Sequence, residues 1–194
     1  MNNLQLSVHC SLLIVNSIMQ VFINESAFWG LLVSAIEVYK KESYGLLLGH
    51  KDGEMFMVVN AVACQKAERH STWVKARDKS YARIVNFFQN LPNLYVVGDF
   101  HSHPRHSTDL SDDDIEGMKP GQIYIVLEIK DKAKDKYWSY NEDGTLSGTT
   151  DSWFIKVAAY YIDPETMKPK MADVLCPFAI GFDIKPKERK RNGQ

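Results

Sequence analysis

The sequence predicts a single α/β layered domain, a mixed β-sheet flanked by helices. Three observations predict it. Short apolar runs bounded by glycine and turn residues are interspersed with two amphipathic helical stretches, which is the pattern of helices packed on a sheet. No repeat, low-complexity tract or linker divides the chain. Its 194 residues, 45% hydrophobic and 24% charged, suffice for one buried core and lie near the average for globular proteins.

Val21–Ile23 reads as a short strand. Asn24 or Ser26 can cap a helix running to about Tyr39, with Phe28, Leu31, Leu32, Ala35 and Ile36 at helical spacing. Tyr44–Gly49 (YGLLLG) is too short for a helix and reads as a buried strand; Lys51-Asp52-Gly53 then turns the chain into a partner strand, Met55–Val62. After a loop around His70–Trp73, Asp78–Gln89 places Tyr81, Ile84, Val85 and Phe88 on one face of a second helix, and Pro92-Asn93 follows it. Leu94–Phe100 is a strand that runs directly into His101-Ser102-His103-Pro104. Ser111–Met118 is a short helix closed by Pro120-Gly121. Strands are expected at Gln122–Ile129, Tyr137–Tyr140 and Trp153–Ile162, the last two separated by the turn Glu142-Asp143-Gly144, and a final one at Val174–Ile180.

Composition excludes several classes. With 23 basic against 24 acidic side chains the net charge is −1, without the strongly basic face that nucleic-acid binding needs. No stretch reaches the roughly 20 apolar residues that span a bilayer. Cys10–Met19 is apolar but broken by Ser11, Asn16 and Ser17, and no Lys or Arg precedes it; a strand or helix docked on the domain is expected there, not a signal peptide. Cys10, Cys64 and Cys176 form no CxxC pair, so neither a disulfide framework nor a cysteine-ligated zinc is indicated, and a reducing cytoplasm is the expected location. Histidine is the anomaly: of six, His101, His103 and His106 fall within six residues.

His101 and His103 are spaced i, i+2 in extended backbone, so both imidazoles can face one ion. A catalytic zinc site typically has three protein ligands, with water in the fourth position. The loop PRHSTDLS can fold back to bring a carboxylate from Asp112-Asp113-Asp114 to the pair. Ser111-x-x-Asp114 is at the same time a helix-capping pattern, serine at the N-cap and an acid at N3. His106 reads as an exposed loop residue, Asp112 and Asp113 as acids favouring a helix's first turn, and Asp99 as either a carboxylate behind a ligand histidine or a solvated one.

Together the residues read H-x-H-x7-S-x2-D, which resembles the signature of the JAMM (MPN-plus) zinc metalloproteases, prokaryotic stand-alone type. Upstream, Glu42-Ser43-Tyr44-Gly45-Leu46-Leu47-Leu48-Gly49 matches the family's E-x-x-G-x-L-x-G position by position. The resemblance implies a deaminase-like MPN fold over residues 20–162, an N-terminal extension over 1–19 and a C-terminal extension with a basic tail over 163–194. It implies that His101, His103 and Asp114 bind Zn²⁺, that Glu42 is the general base acting on water, and that Ser111 donates to the oxyanion. It also implies hydrolysis of an (iso)peptide bond at the C-terminus of a ubiquitin-like or sulfur-carrier protein. The alternative is a catalytically silent MPN scaffold, which would lack at least one ligand; every expected position is filled here. The HxHxDH hydrolases are a poorer match, because Arg105 stands at the aspartate position and no histidine follows His106.

Overall fold

The computed structural model describes residues 19–75 and 78–181. In chain order the elements are β1 (Gln20–Ile23), α1 (Glu25–Glu37), β2 (Tyr44–Asp52), β3 (Met55–Ala63), β4 (Glu68–Arg69), β5 (Val74–Lys75), α2 (Asp78–Gln89), β6 (Tyr95–Pro104), α3 (Asp112–Gly117), β7 (Ile123–Lys130), β8 (Ser139–Tyr140), β9 (Leu146–Thr150), β10 (Trp153–Ile162), β11 (Pro169–Leu175) and α4 (Pro177–Ile180). Nine strands form one mixed sheet in the order β11-β1-β3-β2-β6-β7-β10-β9-β8, while β4 and β5 make a separate hairpin.

The sheet is mixed, as expected from the sequence, but it is not a simple layer. Ala159–Ile162 of β10 pair with β11, and β11 also pairs in parallel with β1, so the sheet closes on itself as a barrel. The first half of β10 uses the same edge to hold β9, so β9 and β8 branch from the ring. Alternation along each strand then separates two faces. On β7, Ile123, Ile125, Leu127 and Ile129 join the main core with α1, whereas Tyr124 and Val126 join a smaller cluster with Met118, Ala158 and Tyr160. The main core draws on α1 through Ala27, Phe28, Leu31, Leu32 and Ala35, all buried. Asn24 starts that helix, its Oδ1 accepting from the Ala27 N–H at 2.9 Å.

The glycines of Glu42–Gly49 mark close approaches of neighbouring strands. A Cβ on Gly45 would lie 2.3 Å from the Phe100 ring and 2.4 Å from the Val62 carbonyl oxygen; on Gly49 it would lie 1.8 Å from the Met57 carbonyl oxygen, beside the register shift at Leu48/Gly49. At both positions a side chain would force a neighbouring strand to shift.

Four local expectations change. β6 does not stop at Phe100 but continues through Pro104, because parallel pairing with β7 runs from Gly98 to Pro104. Only Ser139–Tyr140 of the expected Tyr137–Tyr140 strand is formed, and β9, absent from the sequence reading, follows the turn. Val174–Ile180 is not one strand: β11 ends at Leu175 and Pro177 opens the short α4. Two-residue strands bracket the loop at His70–Trp73. The expected N-terminal segment, apart from buried Met19, and the basic tail lie outside the described residues.

Candidate metal centre

β6 carries Asp99, His101 and His103 on one face, opposite Phe100, which packs in the core with α1. In register, Tyr44 of β2 stands beside His101. Beyond it the two chains are tied twice more: Ser43 N–H donates to Ser102 Oγ at 2.9 Å, and Ser102 N–H to the Ser43 carbonyl at 3.2 Å. This tie places Glu42 at the histidine end of β6, although the two segments are far apart in sequence. The Glu42 N–H donates to the His70 carbonyl at 2.8 Å, anchoring the β4–β5 hairpin to the same corner.

The loop after Pro104 returns α3 to this corner. Ser111 caps it with a complete capping box: Asp114 N–H donates to Ser111 Oγ at 3.2 Å and Ser111 N–H to Asp114 Oδ2 at 2.8 Å. The Ser111 hydroxyl also donates to Asp114 Oδ2, at 2.7 Å. So fixed, Asp114 faces both histidines. His101 Nε2 is 3.3 Å from Asp114 Oδ1, His103 Nε2 is 3.7 Å from Oδ2, and the two Nε2 atoms are 3.0 Å apart. His103 Nδ1 lies 2.7 Å from the Ser107 carbonyl, which only accepts, so the proton of neutral His103 sits on Nδ1 and its Nε2 lone pair points at the cluster.

Two imidazole nitrogens and a carboxylate therefore converge on one point, with ligand atoms within 4.8 Å of one another. Such an arrangement of acceptors repels itself unless a cation or a proton lies among them. The electrostatics point the same way. Burial disfavours charge on His101, yet Asp114, Asp99 and Glu42 outweigh it and hold its pKa above the ordinary value. Burial and the neighbouring His101 push His103 down. Against the effect of burial, the bond and charge of His101 and the bonds from Ser111 hold the Asp114 carboxyl well below the usual carboxylate range. Donor type and number fit a three-ligand zinc site.

The cluster lies in a cleft of about 600 Å³ that Glu42, Tyr44, Trp73, Leu110, Ser111 and Tyr124 also line. Burial pushes the Glu42 carboxyl up to about 7, with His101 opposing and Asp114 adding to the rise. All five residues singled out from the sequence thus share one cleft. His106 and Asp113 reach its lining but stay exposed. Asp99 lines it too, and its carboxylate accepts from the Tyr44 hydroxyl at 3.4 Å instead of from a ligand histidine. The group that does orient a histidine is the Ser107 carbonyl, which no side-chain pattern announces because any residue supplies it. Tyr44 was hidden in plain sight inside ESYGLLLG; its place beside His101 follows only from the β2–β6 register.

Fold and site together define a mixed α/β domain with a candidate His-His-Asp metal centre at the end of a central strand pair. The chain belongs to the Prok-JAB family, prokaryotic homologs of the JAB domain, whose model matches residues 25–140. No curated protein matches it. Among solved structures, that of protein DSY2949 from Desulfitobacterium hafniense is 15% identical, with a TM-score of 0.57 over 80% of this chain and 92% of that one, and shares the fold. A protein from Salinibacter ruber is 20% identical over 75% of this chain and 83% of its own, with a TM-score of 0.45.

Proposed function

We propose that this chain is a zinc-dependent metallopeptidase of JAMM type, hydrolysing an (iso)peptide bond at the C-terminus of a ubiquitin-like or sulfur-carrier protein. The observation that carries the reading is the convergence of His101, His103 and Asp114 with Glu42 in the same cleft. Zn²⁺ on those three ligands would act as a Lewis acid and lower the pKa of coordinated water to about 7.

The remaining work falls to the chain itself. Glu42, which shares the cleft with the three candidate ligands, is placed to accept a proton from water and pass it to the departing amine. The Ser111 hydroxyl donates a hydrogen bond to Asp114; turned toward the substrate, that donor stabilises the carbonyl oxygen as it gains negative charge. Ser107 and the capping box hold His103 and Asp114 in place, so that neither must reorganise during the reaction. A cytoplasmic setting agrees with Cys64 and Cys176, which are free and buried.

The test is turnover of a panel of ubiquitin-like fusions with and without chelator, together with metal analysis. Glu42→Gln is expected to retain near-stoichiometric zinc and lose about 10²–10⁴-fold in turnover; His103→Ala should lose both metal and activity. Unchanged turnover in Glu42→Gln would remove Glu42 from its role. A purified chain that takes up no zinc and cleaves nothing would favour the silent scaffold.

A further inference from the structure

The strand bearing both histidines ends at Pro104, and three residues later the Ser107 carbonyl accepts from His103. What fixes the turn between them lies outside the cleft. Arg105, the first residue of the turn, holds a φ of 66°, a left-handed conformation that is strained for any residue with a Cβ. Its backbone N–H donates to the Ile129 carbonyl at 2.9 Å. Its Nε donates to the Tyr39 hydroxyl oxygen at 3.1 Å, and that hydroxyl donates onward to Asp131 Oδ1 at 2.8 Å. The guanidinium lies 5.8 Å from the Tyr39 ring centroid and 3.9 Å from Asp131, and the Tyr39 ring is seated edge-on against Trp153, with centroids 4.6 Å apart.

The chain just beyond α1, β6 and β7 thus meets at one point, and each segment has a left-handed non-glycine residue there. Lys40 follows Tyr39 with φ 81°, Arg105 is itself at 66°, and Lys132 follows Asp131 with φ 57°. Strained backbone persists only where its surroundings over-determine it. None of Tyr39, Arg105 and Asp131 lines the metal cleft.

We infer that Tyr39, Arg105 and Asp131 are positioning residues: they lock the turn at 105–107 and, through the Ser107 carbonyl, the ring of His103 for metal binding. The inference rests on the His101–His103–Asp114 metal reading for its purpose, though not for its geometry. A surface ion pair contributes little to stability, so a positioning role is told apart by a change at His103 without a matching loss of stability.

The experiment uses the full chain as wild type, Tyr39→Phe, Arg105→Ala and the double variant. Arg105→Ala keeps a Cβ at the turn and removes the guanidinium's contacts with Tyr39 and Asp131. Three quantities are read: the His103 ring tautomer in zinc-free protein, from ¹⁵N shifts above the imidazole titration range, zinc affinity by competition with a chromogenic chelator, and the melting temperature. Wild type should hold His103 as the Nδ1–H tautomer. Each single variant should shift it toward Nε2–H and weaken zinc about tenfold. The double variant should be no weaker than the worse single one, as for residues acting as a unit. An unchanged tautomer and affinity in Arg105→Ala would overturn the inference. So would losses that add in the double variant, or a lower melting temperature with His103 unmoved. A wild-type chain that binds no zinc while its tautomer responds as stated would sink the metal reading and leave the positioning role standing.

Discussion

Asp114 Oδ2 accepts both from the cap of α3 and from the Ser111 hydroxyl, while Oδ1 of the same carboxylate faces His101. Structure and site are therefore coupled in one side chain, and substitutions at Ser111 separate them. Ser111→Ala should cost about 1 kcal/mol of stability through the lost cap, read by urea denaturation of the zinc-free chain, and Ser111→Thr should restore it. An alanine variant as stable as wild type would mean that the box carries no energy. Glu42 makes a pH prediction. Its folded pKa of about 7 lies above the ordinary 4.5, so between those values the folded state holds a proton that the unfolded chain releases. The zinc-free protein therefore loses stability as pH rises from about 4.5 to 7. Glu42→Gln lacks that loss: in chelator it should be more stable than wild type at pH 8, with the advantage gone near pH 4.5. Parallel stability curves across that range would show that Glu42 does not titrate there.

At the scale of elements, much of the fold was legible because local signals agreed with it. Asn24 and Ser111 both act as the caps they resemble, and α2 spans Asp78–Gln89 as its apolar spacing indicated. The motif glycines were legible as a pattern; their physical reason, strands too close for a side chain, appears only in three dimensions. Gly45→Ala should cost about 1–3 kcal/mol by overpacking against Phe100 and the Val62 carbonyl; a melting curve equal to wild type would show that those neighbours yield freely. Sheet closure was not legible. β9 reads LSGTT, polar, with Gly148 pressed against Trp138, and has no strand signature apart from its partner β10. β11 owes its extent to β1 and β10 on its two edges, and neither pairing leaves a mark in its own residues. In the site, the three candidate ligands and Glu42 were legible as side chains, whereas the Ser107 carbonyl and the left-handed Arg105 were not, because both depend on backbone conformation.

For the molecule as a whole, metal and fold should be thermodynamically linked. The candidate ligands come from β6 and from α3, so an ion bound between them would favour the folded state over the unfolded chain. With free zinc at a thousand times its dissociation constant the gain is about 4 kcal/mol, which for a chain of this size raises the melting temperature by about 10 °C. Scanning calorimetry with and without chelator reads this directly. No shift in a chain shown to bind zinc would mean that the unfolded state holds the ion equally well.

Among the described strands, β1 is synthesised first and β11 last, yet they lie side by side, Gln20 facing Asp173. A nascent chain can pair β2 with β3 and β6 early, and β7 soon after. One edge of β1 and the second half of β10 must wait for the final strand. Until β11 emerges both are open templates for a neighbouring chain, which makes that interval the one most exposed to aggregation. Every proposed zinc ligand has been made by then, so the ion has its opportunity to enter while the ring is still open.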